Sequence, residues 1–221
     1  MPVPHIFNPE IFATEFVFTT IAVAFCFLIY FKTKEIYELT RHAGIKYFRG
    51  AFLFFGLSYV VRFLFSLVIL SMIAFDFAIP REMFGPFFIL LLGYFSTIGI
   101  MYLIFSSIWK KFNKKNLLLV GHGIAILLSI VSFMARSHFI LLYFQSALLI
   151  LAVILSNILH KREKKISRIK VLYFLVSALW LMNLWIIDRR RLFSFEMKIF
   201  FQIISLAVFF VIFHKISKWV K

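Results

Sequence analysis

Charged residues and cysteine are both scarce in this chain, and each scarcity excludes a class of protein. Only 15% of the 221 residues are charged, whereas about 25% are charged in an average soluble domain. The single cysteine, Cys26, has no partner for an internal disulfide and no CxxC or Cys/His pattern around it. A soluble globular domain, a disulfide-stabilised domain and a cysteine-ligated metal site are therefore excluded.

Sequence signatures of catalysis are missing as well. The chain contains no HExxH motif of zinc proteases, no GxSG motif of rhomboid-like serine proteases and no paired acidic motif of intramembrane proteases. We therefore expect no enzymatic activity and no catalytic metal.

Apolar residues dominate what is present. They make up 63% of the chain, the mean hydropathy is +0.98, and there are 32 phenylalanines. A helix needs about 20 mainly apolar residues to cross a bilayer core of ~30 Å. Seven runs satisfy this length, at about 9–32, 45–74, 84–109, 116–135, 138–159, 167–187 and 195–217. The sequence predicts an all-α integral membrane bundle of seven transmembrane helices, multi-pass in the cell membrane, forming one domain over residues 1–221.

Two of the connections between these runs have features of their own. Residues 34–42 are polar enough to form a short amphipathic helix on the membrane surface, and they fit an extension of the first helix equally well. Only Arg136 and His138 separate the fourth run from the fifth, which predicts a very short hairpin.

The positions of the basic residues indicate the orientation. If the N-terminus is outside, the cytoplasmic segments hold 18 Lys and Arg residues and the outer segments hold five. Cytoplasmic loops of membrane proteins are enriched in these residues, so we expect an N-out, C-in topology. The net charge of +16 then reflects loops beside anionic lipid headgroups. The lipid bilayer is the expected partner, and nucleic acid is not.

Arg62 is a charge within the second predicted span. A charged side chain at the centre of a transmembrane helix costs about 2.5–3.5 kcal/mol on insertion scales, so it needs a partner. Ser58, Tyr59 and Ser66 lie on the same helix face as Arg62, at spacings of three and four residues. Glu15, in the outer part of the first span, is the expected ion-pair partner.

Further polar residues lie in the outer halves of other spans. Tyr94 is on the third span, and Lys198 and Gln202 are four residues apart on the seventh. We predict a polar, water-accessible cavity that opens outward, with Glu15, Tyr59, Arg62, Tyr94, Lys198 and Gln202 as ligand-binding residues. Lys198 would meet an anionic headgroup or carboxylate. The alternative is ordinary hydrogen bonding between helices.

Two cofactor hypotheses do not fit these positions. Lys198 is near the outer end of its span and the third span offers no acidic counter-ion, so a retinal Schiff base is not expected. His214 lies about 160° around its helix from Lys198, so it does not face the polar stripe as a haem ligand paired with His122 would. We expect no cofactor, and a role for His122 stays open.

The second span and its approach carry a resemblance to known proteins. The segments KEIYELT (34–40), GIKYFRGAF (44–52) and SYVVR (58–62) resemble uncharacterised archaeal seven-helix membrane proteins. They are more loosely similar to the N-terminal seven-helix sensor regions of membrane histidine kinases. The resemblance implies a sensor. Because the chain ends at Lys221, just after the seventh span, it also implies a separate protein that reads the cytoplasmic face.

Three functions agree with these observations. The first is a stand-alone sensor or receptor-like protein that binds a small or lipidic ligand, such as an anionic molecule, from the outer side. The second is a small channel or transporter that uses the region of Arg62, Glu15 and Lys198. The third is a non-catalytic subunit of a larger membrane complex, with a cytoplasmic or membrane protein as its partner. The cytoplasmic half is mostly Phe, Leu and Ile, which favours a cavity closed at one end and hence the first function.

Overall fold

The computed structural model describes residues 9–75, 81–109, 114–159, 168–186 and 194–220. Within these ranges the chain forms seven helices and no strand, which confirms the all-helical prediction. The helices are α1 (Pro9–Thr40), α2 (Ala43–Ala74), α3 (Arg81–Ile108), α4 (Lys114–Met134), α5 (His138–Leu159), α6 (Arg168–Ile186) and α7 (Phe195–Val220). Several of the loop cations that indicate the orientation, including Arg189, Arg190 and Arg191, lie outside the described residues.

Six of these helices, α1 to α5 and α7, are long and apolar enough to cross a membrane. In α6 the apolar stretch is shorter and covers Val171–Leu184. A helix pairs its backbone N–H and C=O groups within itself, and this is required in a hydrocarbon environment, where no water is present to pair with them. The chain is accordingly a multi-pass membrane protein.

Two connections are made by residues in the left-handed backbone region. Helix α1 continues past the predicted span to Thr40, so most of residues 34–42 extend α1. It ends where Arg41 adopts a φ of 52°. Helix α4 ends at Met134, Arg136 adopts a φ of 48°, and α5 begins at His138. A single left-handed residue stops a right-handed helix and reverses the chain within a few residues.

The helices form a six-membered ring with one helix outside it. Neighbours around the ring are α1, α2, α3, α5, α6 and α7, and α7 packs back against α1. Helix α4 packs on α3 and α5. Its outer face presents Leu119, Leu127 and Met134, each more than 60% exposed. Side chains of this kind belong against lipid.

The two ends of the bundle differ in their cores. We call the end at which α1 and α7 begin and α2 ends the N-terminal end, and the opposite one the C-terminal end. Toward the C-terminal end the interior is filled by aromatic rings. Phe48 lies 5.2 Å from Phe52 and 5.9 Å from Tyr173, and Phe55 stacks on Trp180 at 4.0 Å between ring centroids. These rings form an aromatic block, and the buried ion pair described below lies in the other half, next to the Trp180 edge of this block.

Glycine allows α4 to approach α3 closely at one position. A methyl group added to Gly121 would lie 2.7 Å from the buried ring of Phe105, whereas one added to Gly123 would meet nothing within 4 Å. The two glycines therefore face different surroundings although they flank the same residue, His122.

We expect Gly121→Ala to lower the free energy of unfolding by about 1–3 kcal/mol, because the core around Phe105 must shift. Gly123→Ala, on the lipid-facing side, is the matched control. It should leave stability unchanged or raise it by up to about 1 kcal/mol through helix propensity. Denaturant titration of the purified protein in detergent measures both changes. Equal effects of the two substitutions would show that α4 does not pack on α3 in this way.

Candidate functional site

The predicted ion pair between Glu15 and Arg62 is present. Arg62 Nη2 donates to Glu15 Oε1 at 3.2 Å, and the two side chains are 8% and 10% exposed. Helices α1 and α2 run in opposite directions, so a residue near the start of α1 lies beside one in the second half of α2. The pairing neutralises two charges that would each be costly alone in an apolar bundle.

The hydroxyl groups of the neighbouring polar stripe are used within their own helices. Thr19 donates to the carbonyl oxygen of Glu15 at 2.8 Å, Ser66 to that of Arg62 at 3.2 Å, and Ser58 to that of Phe55 at 2.8 Å. Serine and threonine often satisfy themselves in this way inside helices. The hydrogens of these three hydroxyl groups are therefore already used within the protein and are not available to donate to a ligand.

A small cavity lies beside Arg62, between α2, α3 and α6. Its volume is about 10 Å³, which is close to the minimum that holds one water molecule. The residues that line it are Ser58, Tyr59, Arg62, Leu92, Ser96, Trp180 and Asn183.

Four side chains around this cavity carry polar atoms without a hydrogen-bond partner among the described residues. These atoms are Tyr59 Oη, Arg62 Nη1, Trp180 Nε1 and Asn183 Oδ1. Each of the four residues is at most 7% exposed. Leaving such a group unpaired costs about 1–3 kcal/mol. Arg62 and Trp180 can only donate, Asn183 Oδ1 can only accept, and Tyr59 can do both, so a single water molecule, with two hydrogens and two lone pairs, has the capacity to bond all four.

A second set of hydrogen bonds holds the helices around the cavity. Gln145 of α5 donates through Nε2 to Ser96 at 2.6 Å and to Thr97 at 2.8 Å, both on α3. Asn183 of α6 donates through Nδ2 to Ser205 of α7 at 3.4 Å. These bonds connect four helices around Arg62. We call Glu15, Tyr59, Arg62, Trp180 and Asn183 the polar cluster.

The six residues predicted to bind a ligand occupy three places. Glu15, Tyr59 and Arg62 belong to the polar cluster. Tyr94 is in the second place, where its hydroxyl group forms a hydrogen bond with His122 Nδ1 of α4 at 2.9 Å. Gln202 and Lys198 are at the third place, on α7 where it faces α1. Tyr94 is separated from the cavity because it lies two residues, or about 200° around the helix, from Ser96.

Gln202 lies in a groove on the surface between α1 and α7, and Lys198 is one helical turn away from it. The groove has a volume of about 310 Å³. Gln202 is not among the residues that line the cavity beside Arg62. Tyr59, which does line that cavity, packs against Trp180 and Phe209, with ring centroids at 5.5 and 6.1 Å. In the described part of the chain, the six predicted residues are thus divided among the polar cluster, the bond to His122 and the surroundings of the groove, and their role in binding a ligand stays a prediction.

The comparison with known proteins gives one clear relative. An uncharacterised protein of Archaeoglobus fulgidus is 30% identical over 214 residues, which cover 95% of this chain and 93% of that protein. This chain belongs to the same family. No protein-family model and no solved structure matches it. The predicted similarity of this chain to uncharacterised archaeal proteins is confirmed. Its similarity to histidine-kinase sensor regions stays a prediction.

Sequence reasoning missed Trp180 as a residue of the site. Trp180 and Asn183 are three residues apart on α6, so the sequence alone predicts that they lie on the same face of this helix. What could not be read is that this face meets Tyr59 and Arg62 of α2. Among the described residues of this chain, no group of three His, Cys, Asp or Glu side chains could hold a metal ion.

The ion pair makes a prediction that a double-mutant cycle tests. Glu15→Leu or Arg62→Leu alone should lower the free energy of unfolding by about 3–5 kcal/mol, because each leaves one buried charge without its partner. The double substitution should recover much of that loss. Lys34→Leu, which breaks the exposed pair with Glu38, is the control and should change stability little. Additive effects of the two buried substitutions would show that the charges do not interact.

Proposed function

We propose that this chain is a sensor or receptor-like protein with seven spans, N-out and C-in in the cell membrane, which binds a small or lipidic ligand from the outer side. The excess of 18 Lys and Arg residues over five supports the orientation. With the N-terminus outside, the N-terminal end of the bundle is the outer end. The polar cluster then lies in the outer half of the membrane.

The observation that carries this proposal is the polar cluster itself. Ionisable residues buried in transmembrane helices are rare, and they commonly mark functional sites. Here Arg62 uses one of its two terminal nitrogens on Glu15, and the other has no partner in the described part of the chain. A purely structural ion pair would use both nitrogens more fully. The remaining bonding capacity supports a role in recognition.

The aromatic block supports a receptor over a transporter. A transporter needs a polar route through both halves of the bundle, whereas a receptor site can be closed at one end. In the C-terminal half, Thr33 donates to the carbonyl oxygen of Ile29 at 2.7 Å, and Ser106 pairs with Tyr173 at 2.5 Å. Both of these hydroxyl groups are occupied within the protein, although Ser107 and Ser217 in the same half carry buried hydroxyl groups without a described partner. Among the described residues, this half buries no charged side chain.

The cluster also suggests how binding would be passed on. It joins α1 to α2 through the ion pair, and α6 to α7 through Asn183. A ligand that changes the position of Arg62 would change the contacts of α2 with both α1 and α6. A cytoplasmic or membrane protein would detect the resulting movement at the C-terminal end.

The topology makes a prediction of its own. A fluorescent protein fused after Lys221 should fold and fluoresce, and alkaline phosphatase fused there should be inactive, because the C-terminus is cytoplasmic. The same two reporters inserted after Arg136, in the link between α4 and α5, should give the opposite result. Matching signals at the two positions would contradict seven spans.

The receptor role is tested by flux and by bound ligand together. Proteoliposomes should show no ion or proton flux that depends on the protein, because the aromatic block closes the C-terminal half. Native mass spectrometry of protein purified from its own membranes should show one acidic small or lipidic molecule bound. Flux above that of empty liposomes would favour the transporter, and protein without any bound molecule would contradict the receptor.

A further inference from the structure

The groove between α1 and α7 has the size of a ligand site. Its volume of about 310 Å³ is at the lower end of the ~300–1,000 Å³ found for small-molecule pockets. Its rims include Val17 and Ile203, which are 56% and 60% exposed, so it opens toward lipid. The residues that line it are Ala13, Thr14, Val17, Phe18, Ile199, Gln202, Ile203 and Leu206.

Gln202 is the unusual residue among these walls. It is 6% exposed, and its amide makes no hydrogen bond within the described part of the chain. The other polar wall residue, Thr14, donates to the carbonyl oxygen of Glu10 at 3.0 Å. An amide without a partner in an apolar setting costs several kcal/mol on scales where nothing compensates it. Its position in the groove indicates that an occupant supplies the partner.

Lys198 adds a charge to the same helix face. It lies four residues before Gln202, which places it one turn nearer the N-terminal end. It is partly buried, and it makes no ion pair with any described residue. A lysine in this position lays its methylene groups along apolar surface and presents its ammonium group at the membrane interface. The groove therefore offers an apolar wall and an amide, and Lys198 places a cation one helical turn beyond that amide, toward the membrane surface.

We propose that this groove binds a single-chain acidic amphiphile, that is, one hydrocarbon chain that carries a carboxylate. The chain lies along α1 and α7 toward Leu206. The carboxylate accepts hydrogen bonds from the ammonium group of Lys198 and the amide of Gln202. The size of the groove and the one cation that the described residues place next to it, Lys198, favour one chain and one negative charge over a whole phospholipid.

Phe18 connects the groove to the polar cluster. One side of this residue lines the groove. Its ring also lies 5.9 Å from the guanidinium carbon of Arg62 and 6.1 Å from the ring of Tyr59. An occupant that moves Phe18 thereby changes the surroundings of Arg62. In this respect the inference rests on the proposed function, because a molecule in the groove would act on the polar cluster of the sensor through Phe18.

The test is photolabelling in nanodiscs of phosphatidylcholine with a diazirine-bearing palmitic acid. The labelled peptides should contain residues 13–18 and 199–206. Lys198→Gln and Gln202→Leu should each weaken labelling by about tenfold, as loss of one charge-assisted hydrogen bond predicts. Ile203→Trp, which fills the groove from its lipid-facing side, should abolish labelling. The matched controls are Lys215→Gln near the other end of α7 and Leu127→Trp on the lipid face of α4, and both should label as the unchanged protein does.

Two results would overturn the inference. One is labelling that none of the three groove substitutions reduces, which would mean annular lipid only. The other is equal labelling by a diazirine-bearing lysophosphatidylcholine, which has the same chain with no net charge. The outcome is separable from that of the proposed function. Specific labelling together with ion flux would support the proposed groove site and contradict the receptor. A ligand bound in native protein, without labelling of the groove, would support the receptor and contradict the groove site.

Discussion

The cost of an unpaired charge in hydrocarbon is the constraint on which the outer half of this bundle depends. Arg62 cannot remain in α2 without a partner, and Glu15 cannot remain in α1 without one. Their contact at 3.2 Å sets the depth of α1 relative to α2. With that register, Phe18 is placed against Arg62 and Tyr59. The groove on one side of Phe18 and the cavity beyond Arg62 both follow from this alignment.

Other polar groups in the bundle are satisfied in two distinct ways. Most serine and threonine hydroxyl groups donate to a carbonyl oxygen three or four residues earlier, as Thr19 and Ser58 do. Such bonds lie within one helix and need no partner on a neighbouring helix. Gln145 and Asn183 instead reach other helices, and these longer amides fix which helices meet. Buried polar atoms without a described partner occur at several places in the bundle, and four of them belong to residues that line the cavity beside Arg62.

Much of this architecture could be predicted because membranes restrict what a chain can do. Runs of apolar residues forecast helices, and the depths of Glu15 and Arg62 in consecutive antiparallel helices forecast their pairing. The order of helices around the bundle could not be predicted in this way. Nothing in the local pattern shows that α3 packs on α5 with α4 outside the ring. The roles of Trp180 and of the bond between Tyr94 and His122 depend on that order, so they became visible only in the structure.

The closure of the ring by contact between α1 and α7 bears on how the chain is made. Ribosomes deliver α1 first and α7 last, so these two neighbours are separated by nearly the whole length of synthesis. Contacts between residues so distant in sequence form slowly. Until α7 is made, the side of α1 that faces α7 lies against lipid, while the Glu15–Arg62 bond and the packing of Phe18 on Tyr59 already hold α1 against α2. The groove can therefore form only after α1 to α6 have been made, because α7 supplies one of its two walls.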